Sequence, residues 1–168
     1  MKKIILCGVL VTSLTMANSF AELGLGYSKG NESDNFVTLH GALKVFGNIA
    51  ARLEYTKNIS DNPEFSNEDI SRYGLFATYT LPILPSLSLT PKLGLTKTDG
   101  SFQVLETLDT ITQSTTTFTY GIELNYDFND KMSAFVGYTD YGNDFSIEEF
   151  DTSKLDSANY TFGIKIHL

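Results

Sequence analysis

Few of the 168 residues are of a type that does chemistry. There are two histidines, His40 and His167, and a single cysteine, Cys7. A hydrolase built on His with Ser or Asp needs base and nucleophile within hydrogen-bond reach of each other. His40 falls mid-strand and His167 at the extreme end of the chain, so polar filling is favoured over a shared site. Glu106 and Asp109 sit in a loop. The run Glu148-Glu149 to Asp151 lacks the regular Asp spacing of a calcium loop, which favours a solvated face. Asn58-Ile59-Ser60 fits a glycosylation sequon, but with the leader and barrel read below the match is uninformative. No phosphate loop or dinucleotide fingerprint occurs. The residues therefore predict no catalytic, cofactor-binding or metal-binding site, no cofactor and no enzyme activity.

The informative charges are those that alternate with apolar residues. Lys44, Arg52, Glu54, Arg72, Lys92, Glu123 and Lys165 lie in stretches where every second side chain is apolar, so they project from the opposite face of a strand. If that face is enclosed, each charge must be paired or wetted. The expectation is that Arg52, Arg72 or Lys92 pairs with Glu54 or Glu123. Such a network is either a plug that stiffens an interior or a gate across a narrow water path. The plug is favoured, because breaking a desolvated ion pair costs a few kcal/mol.

The elements that hold these charges are strands. The clearest is the last, Ala158 to Leu168, where Ala158, Tyr160, Phe162, Ile164, Ile166 and Leu168 share one face and Asn159, Thr161, Gly163, Lys165 and His167 the other. That is the period-2 signal of a strand with one apolar side. The apolar face runs to the final residue, where a soluble chain usually frays. Seven more stretches of the same period precede it, at about residues 22–28, 36–45, 49–57, 71–81, 87–98, 116–128 and 132–138. Pro91 interrupts the fifth and predicts a bulge there. After even-numbered strands the connections are short (Phe46-Gly47-Asn48, Pro82 to Ser86, Asn129-Asp130-Lys131). After odd-numbered strands they are longer and acidic: 29–35, 58–70, 99–115 and 140–157. That parity separates two ends of a barrel.

Charge and aromatic residues sort by the same parity. Fifteen of the 20 Asp and Glu fall in the odd-strand connections. Tyr27, Tyr55, Tyr73, Tyr120, Tyr138 and Tyr160 fall near the long-loop ends of their strands. Phe46, Tyr79, Tyr126 and Phe128 fall near the short-turn ends. Two aromatic bands around an aliphatic belt match the girdles of a membrane barrel.

Met1 to Ala21 reads as a cleavable signal peptide. Lys2 and Lys3 precede an apolar stretch from Ile4 to Leu14, and Ser19-Phe20-Ala21 offers small residues where a signal peptidase reads. Its removal takes two lysines and no acid, moving the net charge from −8 to −10. So acidic a chain is a poor nucleic-acid binder. It also removes the only cysteine, which leaves no disulfide and no thiolate site. The domain reading is 1–21 signal peptide and 22–168 barrel.

The end of the chain resembles the assembly signal of bacterial outer-membrane β-barrels. Tyr160, Phe162, Gly163, Ile164, Ile166 and Leu168 carry that likeness, and Leu168 departs from the usual aromatic terminus. With leader, strands and loop parity, the whole mature chain resembles the small outer-membrane barrels of the OmpA/OmpX type. The resemblance implies an all-β, eight-stranded, antiparallel, up-and-down transmembrane β-barrel in the cell outer membrane. Its partners would be outer-membrane lipid, the barrel assembly machinery, and an extracellular ligand or surface partner at the acidic loops. The leading functional expectation is a structural or surface-interaction barrel. A narrow, porin-like small-solute pore is the alternative. A lipid-modifying barrel enzyme and a soluble periplasmic ligand-binding β-barrel rank lower.

Overall fold

The computed structural model describes residues 20–30, 35–59, 69–103, 110–142 and 158–168. The expectations for the leader up to residue 19 and for most of the long connections lie outside the described residues. Nine ladder segments follow in order: β1 (Ala21–Gly30), β2 (Asn35–Phe46), β3 (Ile49–Asn58), β4 (Asp69–Tyr79), β5 (Leu81–Leu84), β6 (Leu87–Gln103), β7 (Thr110–Asn129), β8 (Met132–Asp140) and β9 (Ala158–His167). Their order is β4-β3-β2-β1-β9-β8-β7-β6-β5, and β4 also pairs with β6, so the sheet closes. Every pairing is antiparallel.

β4 and β5 are two parts of one strand, which makes the barrel eight-stranded. Thr78 pairs with Lys92 and Leu81 with Leu89, so the register continues straight across the gap at Thr80 and places Pro91 beside it. Proline has no N–H to give, and the ladder lapses there. The bulge expected at Pro91 is absent: Pro91 also pairs with Ile122 on β7 without a shift. Shifts occur instead beside the short turns, at Lys44/Phe46, Pro82/Leu84 and Asp127/Asn129. The predicted turn at Pro82 to Ser86 shrinks to Pro85-Ser86, because Leu81–Leu84 continue the strand. Residues 99–103 and 110–115, expected in a connection, extend β6 and β7 as a projecting hairpin.

Closure requires strands to tilt and register to stagger. Following the rungs from Lys44 through Ala50, Thr78, Lys92, Gly121, Thr139 and Asn159 arrives at Gly30. Lys44 itself donates its N–H to Phe20 at 2.7 Å, at the other end of β1. The offset from residue 20 to residue 30 is that stagger.

The sides of the sheet are inverted relative to a soluble protein. Leu53, Leu75, Leu95, Phe118, Val136 and Phe162 are exposed, whereas Arg52, Lys92, Glu123 and Lys165 are buried. An apolar face of this extent needs an apolar solvent. Its tyrosines meet in register: Tyr55 pairs with Tyr73 and Tyr138 with Tyr160, with ring centroids 5.0 and 5.4 Å apart.

Inside, small residues make room for large ones. A Cβ on Gly74 would run into the Phe76 ring, and one on Gly24 into the His40 ring. Only with hydrogen at these positions does an eight-stranded lumen admit such side chains.

Candidate functional site

The lumen is built in levels by the inward parity of each strand. At its centre Arg52 on β3 faces Glu123 on β7, 71 residues apart in sequence. Two guanidinium nitrogens meet two carboxylate oxygens: Nη1 with Oε1, and Nη2 with Oε2 at 3.0 Å. This two-point contact matches the fork of arginine to the plane of a carboxylate. Lys165 on β9 donates to the same Glu123 Oε2 at 2.8 Å. Arg52 Nη2 also donates to Glu22 Oε1 at 3.0 Å. Lys92 on β6 donates to Glu54 on β3 at 2.7 Å.

Three carboxylates, Glu22, Glu54 and Glu123, thus balance Arg52, Lys92 and Lys165. Aromatic faces complete the cage: Lys92 Nζ lies 4.9 Å from the Phe76 centroid and Lys165 Nζ 5.0 Å from that of Phe135. Rings give the ammonium groups a partner where water is excluded. His40 stands edge-on to Phe135 at 5.4 Å, with Nε2 3.5 Å from Glu22 Oε1.

Above the charges, toward the long-loop end, hydroxyls bridge the strands. Ser28 meets Thr38 at 3.0 Å and Thr161 at 2.7 Å, and Thr38 meets Thr56 at 3.0 Å. Thr119 donates to Thr96 at 2.9 Å on the opposite wall. Higher still lies a cap of Phe36, Ile70, Arg72 and Tyr141, all buried. The Arg72 guanidinium lies 4.7 Å from the Phe36 ring centre and 4.5 Å from that of Tyr141. With its amide oriented to satisfy both groups, Asn159 accepts from Arg72 Nη1 at 3.0 Å. Tyr141 reaches down to donate to Glu54 Oε1 at 3.2 Å, tying cap to charges.

Below the charges a polar cup of about 460 Å³ opens at the short-turn end. Glu22, Arg52 and Lys165 form its floor, while Lys44, Asn125, Ser133 and His167 line its walls.

The predicted site residues therefore divide. Arg52, Glu54, Lys92, Glu123 and Lys165 converge as one buried network, and the expected pairing partners are met as Arg52–Glu123 and Lys92–Glu54. Arg72 lies inside but belongs to the cap. Lys44 departs from the expectation: it is exposed on the wall of the cup, because β2 nears its turn there and the lumen has widened to solvent. Along β9, Tyr160, Phe162, Ile164 and Ile166 face outward and are exposed. Gly163 lies inward beneath the edge of Phe135. The Leu168 N–H donates to the Ala21 carbonyl at 2.8 Å, joining the two ends of the barrel sequence.

Glu22 and Tyr141 were not singled out by sequence. Glu22 opens the first predicted strand, and Tyr141 lies just past the end of β8. Tyr141 continues the odd-numbered inward series Ser133, Phe135, Gly137 and Thr139 past the end of β8, and that parity was the available signal. Beyond the membrane level, the Asp99 carboxyl is held below its ordinary range, first by the Ser114 hydroxyl and then by Lys97.

Among the described residues no three His, Cys, Asp or Glu side chains converge as a metal site. No helix among them is long and apolar enough to cross a membrane. What crosses is the sheet. The model of the outer membrane protein beta-barrel domain matches residues 7–167. The chain belongs to that family.

This outer-membrane barrel is similar in fold to the N-terminal β-barrel domain of Pseudomonas aeruginosa OprF, with TM-score 0.68 and 13% identity over 88% of this chain and 96% of that one. Ail, the attachment invasion locus protein of Yersinia pestis, aligns with TM-score 0.55 and 14% identity over 88% of this chain and 95% of its own. Neisserial surface protein A aligns with TM-score 0.54 and 14% identity over 88% and 94%. At such identities the likeness carries the fold alone. No curated protein matches the sequence. Family and fold place the protein in the outer membrane, where short turns face the periplasm and long loops the exterior.

Proposed function

We propose that this protein is a closed outer-membrane scaffold whose acidic outer loops engage a surface partner. The observation that carries the closed reading is the filled lumen. Arg52 is 1% exposed, Glu123 3%, Phe36 2% and Ile70 1%, so among the described residues charges and cap fill two successive levels of the lumen. A lumen stiffened in this way serves best as a rigid mount. The outer connections hold fifteen of the 20 acids against Lys29 and Lys154. That charge favours a basic partner over a polyanion. Ail, by contrast, was crystallised with the heparin analogue sucrose octasulfate.

The test pairs two measurements. Purified barrel in planar bilayers is expected to show no unitary conductance steps. Cells carrying the protein with its loops 60–68 and 143–157 shortened are expected to lose adhesion to a basic surface while keeping the barrel in the outer membrane. Unchanged adhesion after shortening would remove the surface reading.

The second reading is a narrow pore. It is favoured by the polar cup, which brings the periplasmic side as far as Glu22, Arg52 and Lys165. Under that reading Glu54→Ala raises conductance. Under the scaffold reading the cap keeps the bilayer silent.

A further inference from the structure

The polar cup lies beneath the charge network, at the short-turn mouth of the barrel. Its rim carries Asn48, Ser86 and Asp130 from three turns, all among the described residues. The mouths of β-barrels are preferred sites for small molecules, and about 460 Å³ is the size such sites have. An eight-stranded barrel has room for one small ligand where side chains leave it unfilled.

Two opposite charges stand unmatched on its walls. Lys44 on β2 is exposed, and its ammonium meets no carboxylate among the described residues. Asp127 on β7 keeps 41% of its side chain exposed, and no lysine or arginine among the described residues reaches it. With β4 and β5 counted as one strand, β2 and β7 are four strands apart whichever way the ring is followed. Lys44 and Asp127 therefore face each other across the mouth. Each precedes a turn residue by three positions, Gly47 or Asp130, so they stand at similar depth.

The rest of the cup sharpens this polarity. His167 lies 3.9 Å from Asp127 Oδ1 and 3.9 Å from Glu22 Oε2, and its Nε2 is 3.1 Å from the Ser133 hydroxyl. The acidic side is thus braced from β9 and β8. Glu22 already has Arg52 at 3.0 Å, which leaves Asp127 as the free acceptor of charge. On the wall between β7 and β2, Thr80, Ser86 and Ser88 offer hydroxyls.

This layout selects among ligands. A simple anion would meet Asp127 and Glu22 as well as Lys44, and a simple cation would meet Lys44, so each suffers like-charge repulsion. A neutral sugar would find an ionic floor with no ring to stack on. A dipolar molecule satisfies both walls at once.

We propose that the cup binds a small zwitterion from the periplasm, an amino acid or short peptide whose carboxylate meets Lys44 and whose ammonium meets Asp127. The hydroxyls of Thr80, Ser86 and Ser88 serve its peptide groups. The site lies at the opposite end of the barrel from the surface reading and needs no passage through the lumen.

The test uses the mature barrel isolated from outer membranes, placed in phospholipid nanodiscs and titrated with glycine, diglycine and triglycine by NMR. One length is expected to bind best and to shift the resonances of Lys44 and Asp127. Lys44→Gln and Asp127→Asn are each expected to weaken that probe about tenfold, as for one charged hydrogen bond. Amidating the probe's carboxylate should cost the same on the unaltered barrel and nothing more on Lys44→Gln. Acetylating its ammonium should pair in the same way with Asp127→Asn. Both residues are solvent-facing, so both variants should keep the heat-modifiable band of a folded barrel. If either misfolds, the amidated and acetylated probes on the unaltered barrel decide. Failure of all three probes to bind overturns the proposal, as does equal binding of free and blocked probes. So do nuclear Overhauser contacts from residues 1–19 to Lys44, which would place a segment of this chain in the cup.

Discussion

Arg52 and Glu123 clasp each other across the full width of the lumen, one on β3 and the other on β7, in a two-point contact buried from solvent. Because both are desolvated, loss of one strands the other. Arg52→Ala is expected to destabilise the barrel by about 3–5 kcal/mol, as for other buried pairs cut on one side. Replacing both, as Arg52→Met with Glu123→Leu, should recover most of that loss. A double-mutant cycle by urea unfolding in detergent micelles measures it. Additive single effects would show that the two groups are uncoupled.

Glu54 joins charges to cap, accepting from Lys92 at 2.7 Å and from Tyr141 at 3.2 Å. Glu54→Ala should lower stability through the stranded Lys92 yet leave single-channel recordings silent, because Phe36, Ile70 and Arg72 still close the outer level. Open steps in the single mutant would mean that the charge layer alone is the barrier.

Gly74 and Gly94 offer a contrast between two kinds of crowding. A Cβ on Gly74 meets the Phe76 ring, which can be trimmed, whereas one on Gly94 meets the backbone of Leu75. Gly74→Ala should cost about 1–3 kcal/mol by overpacking and be rescued by Phe76→Leu. Gly94→Ala should be at least as costly and unresponsive to the same change. Thermal melts of the four variants on heat-modifiability gels compare them. Rescue of both would imply that the wall, rather than the ring, gives way.

Neighbours on β9 should respond oppositely to charge. Ile164 is exposed on the lipid side, and Ile164→Arg should cost about 2–4 kcal/mol if that position lies near the bilayer midplane. Lys165, the next residue, is already charged and buried against Glu123. Lys165→Ile is expected to destabilise through the uncompensated carboxylate. Tolerance of arginine at position 164 in folding assays with lipid vesicles would contradict a lipid-facing β9.

Leu168 closes the β1–β9 seam through its bond to Ala21. The terminal apolar residue is proposed to serve assembly, with Phe162, Ile164 and Ile166 on the same face. Leu168→Phe should assemble at least as well as the natural chain, and Leu168→Asp should accumulate unfolded in the periplasm. The folded fraction in isolated outer membranes is the measure.

Alternation alone determined the architecture of this protein. A period of two needs only neighbouring residues to be visible, so the inward or outward sense of His40, Arg52, Phe76, Glu123 and Phe162 was legible from the letters. Loop parity then fixed eight strands, and the final strand fixed the membrane as solvent. Strand ends were less legible, because Leu81–Leu84 and residues 110–115 carry turn-like or loop-like composition but are held in the ladder by their partners. What the letters could not give is which inward charge meets which. Arg52 and Glu123 are brought together by closure and stagger, and these depend on every rung around the barrel. The same stagger lifts Tyr141 onto Glu54, sinks Glu22 beneath Arg52 and leaves Lys44 in the open cup. Facing is a local property of a strand. Partnership across the lumen is a property of the closed sheet, and only the tertiary structure decides it.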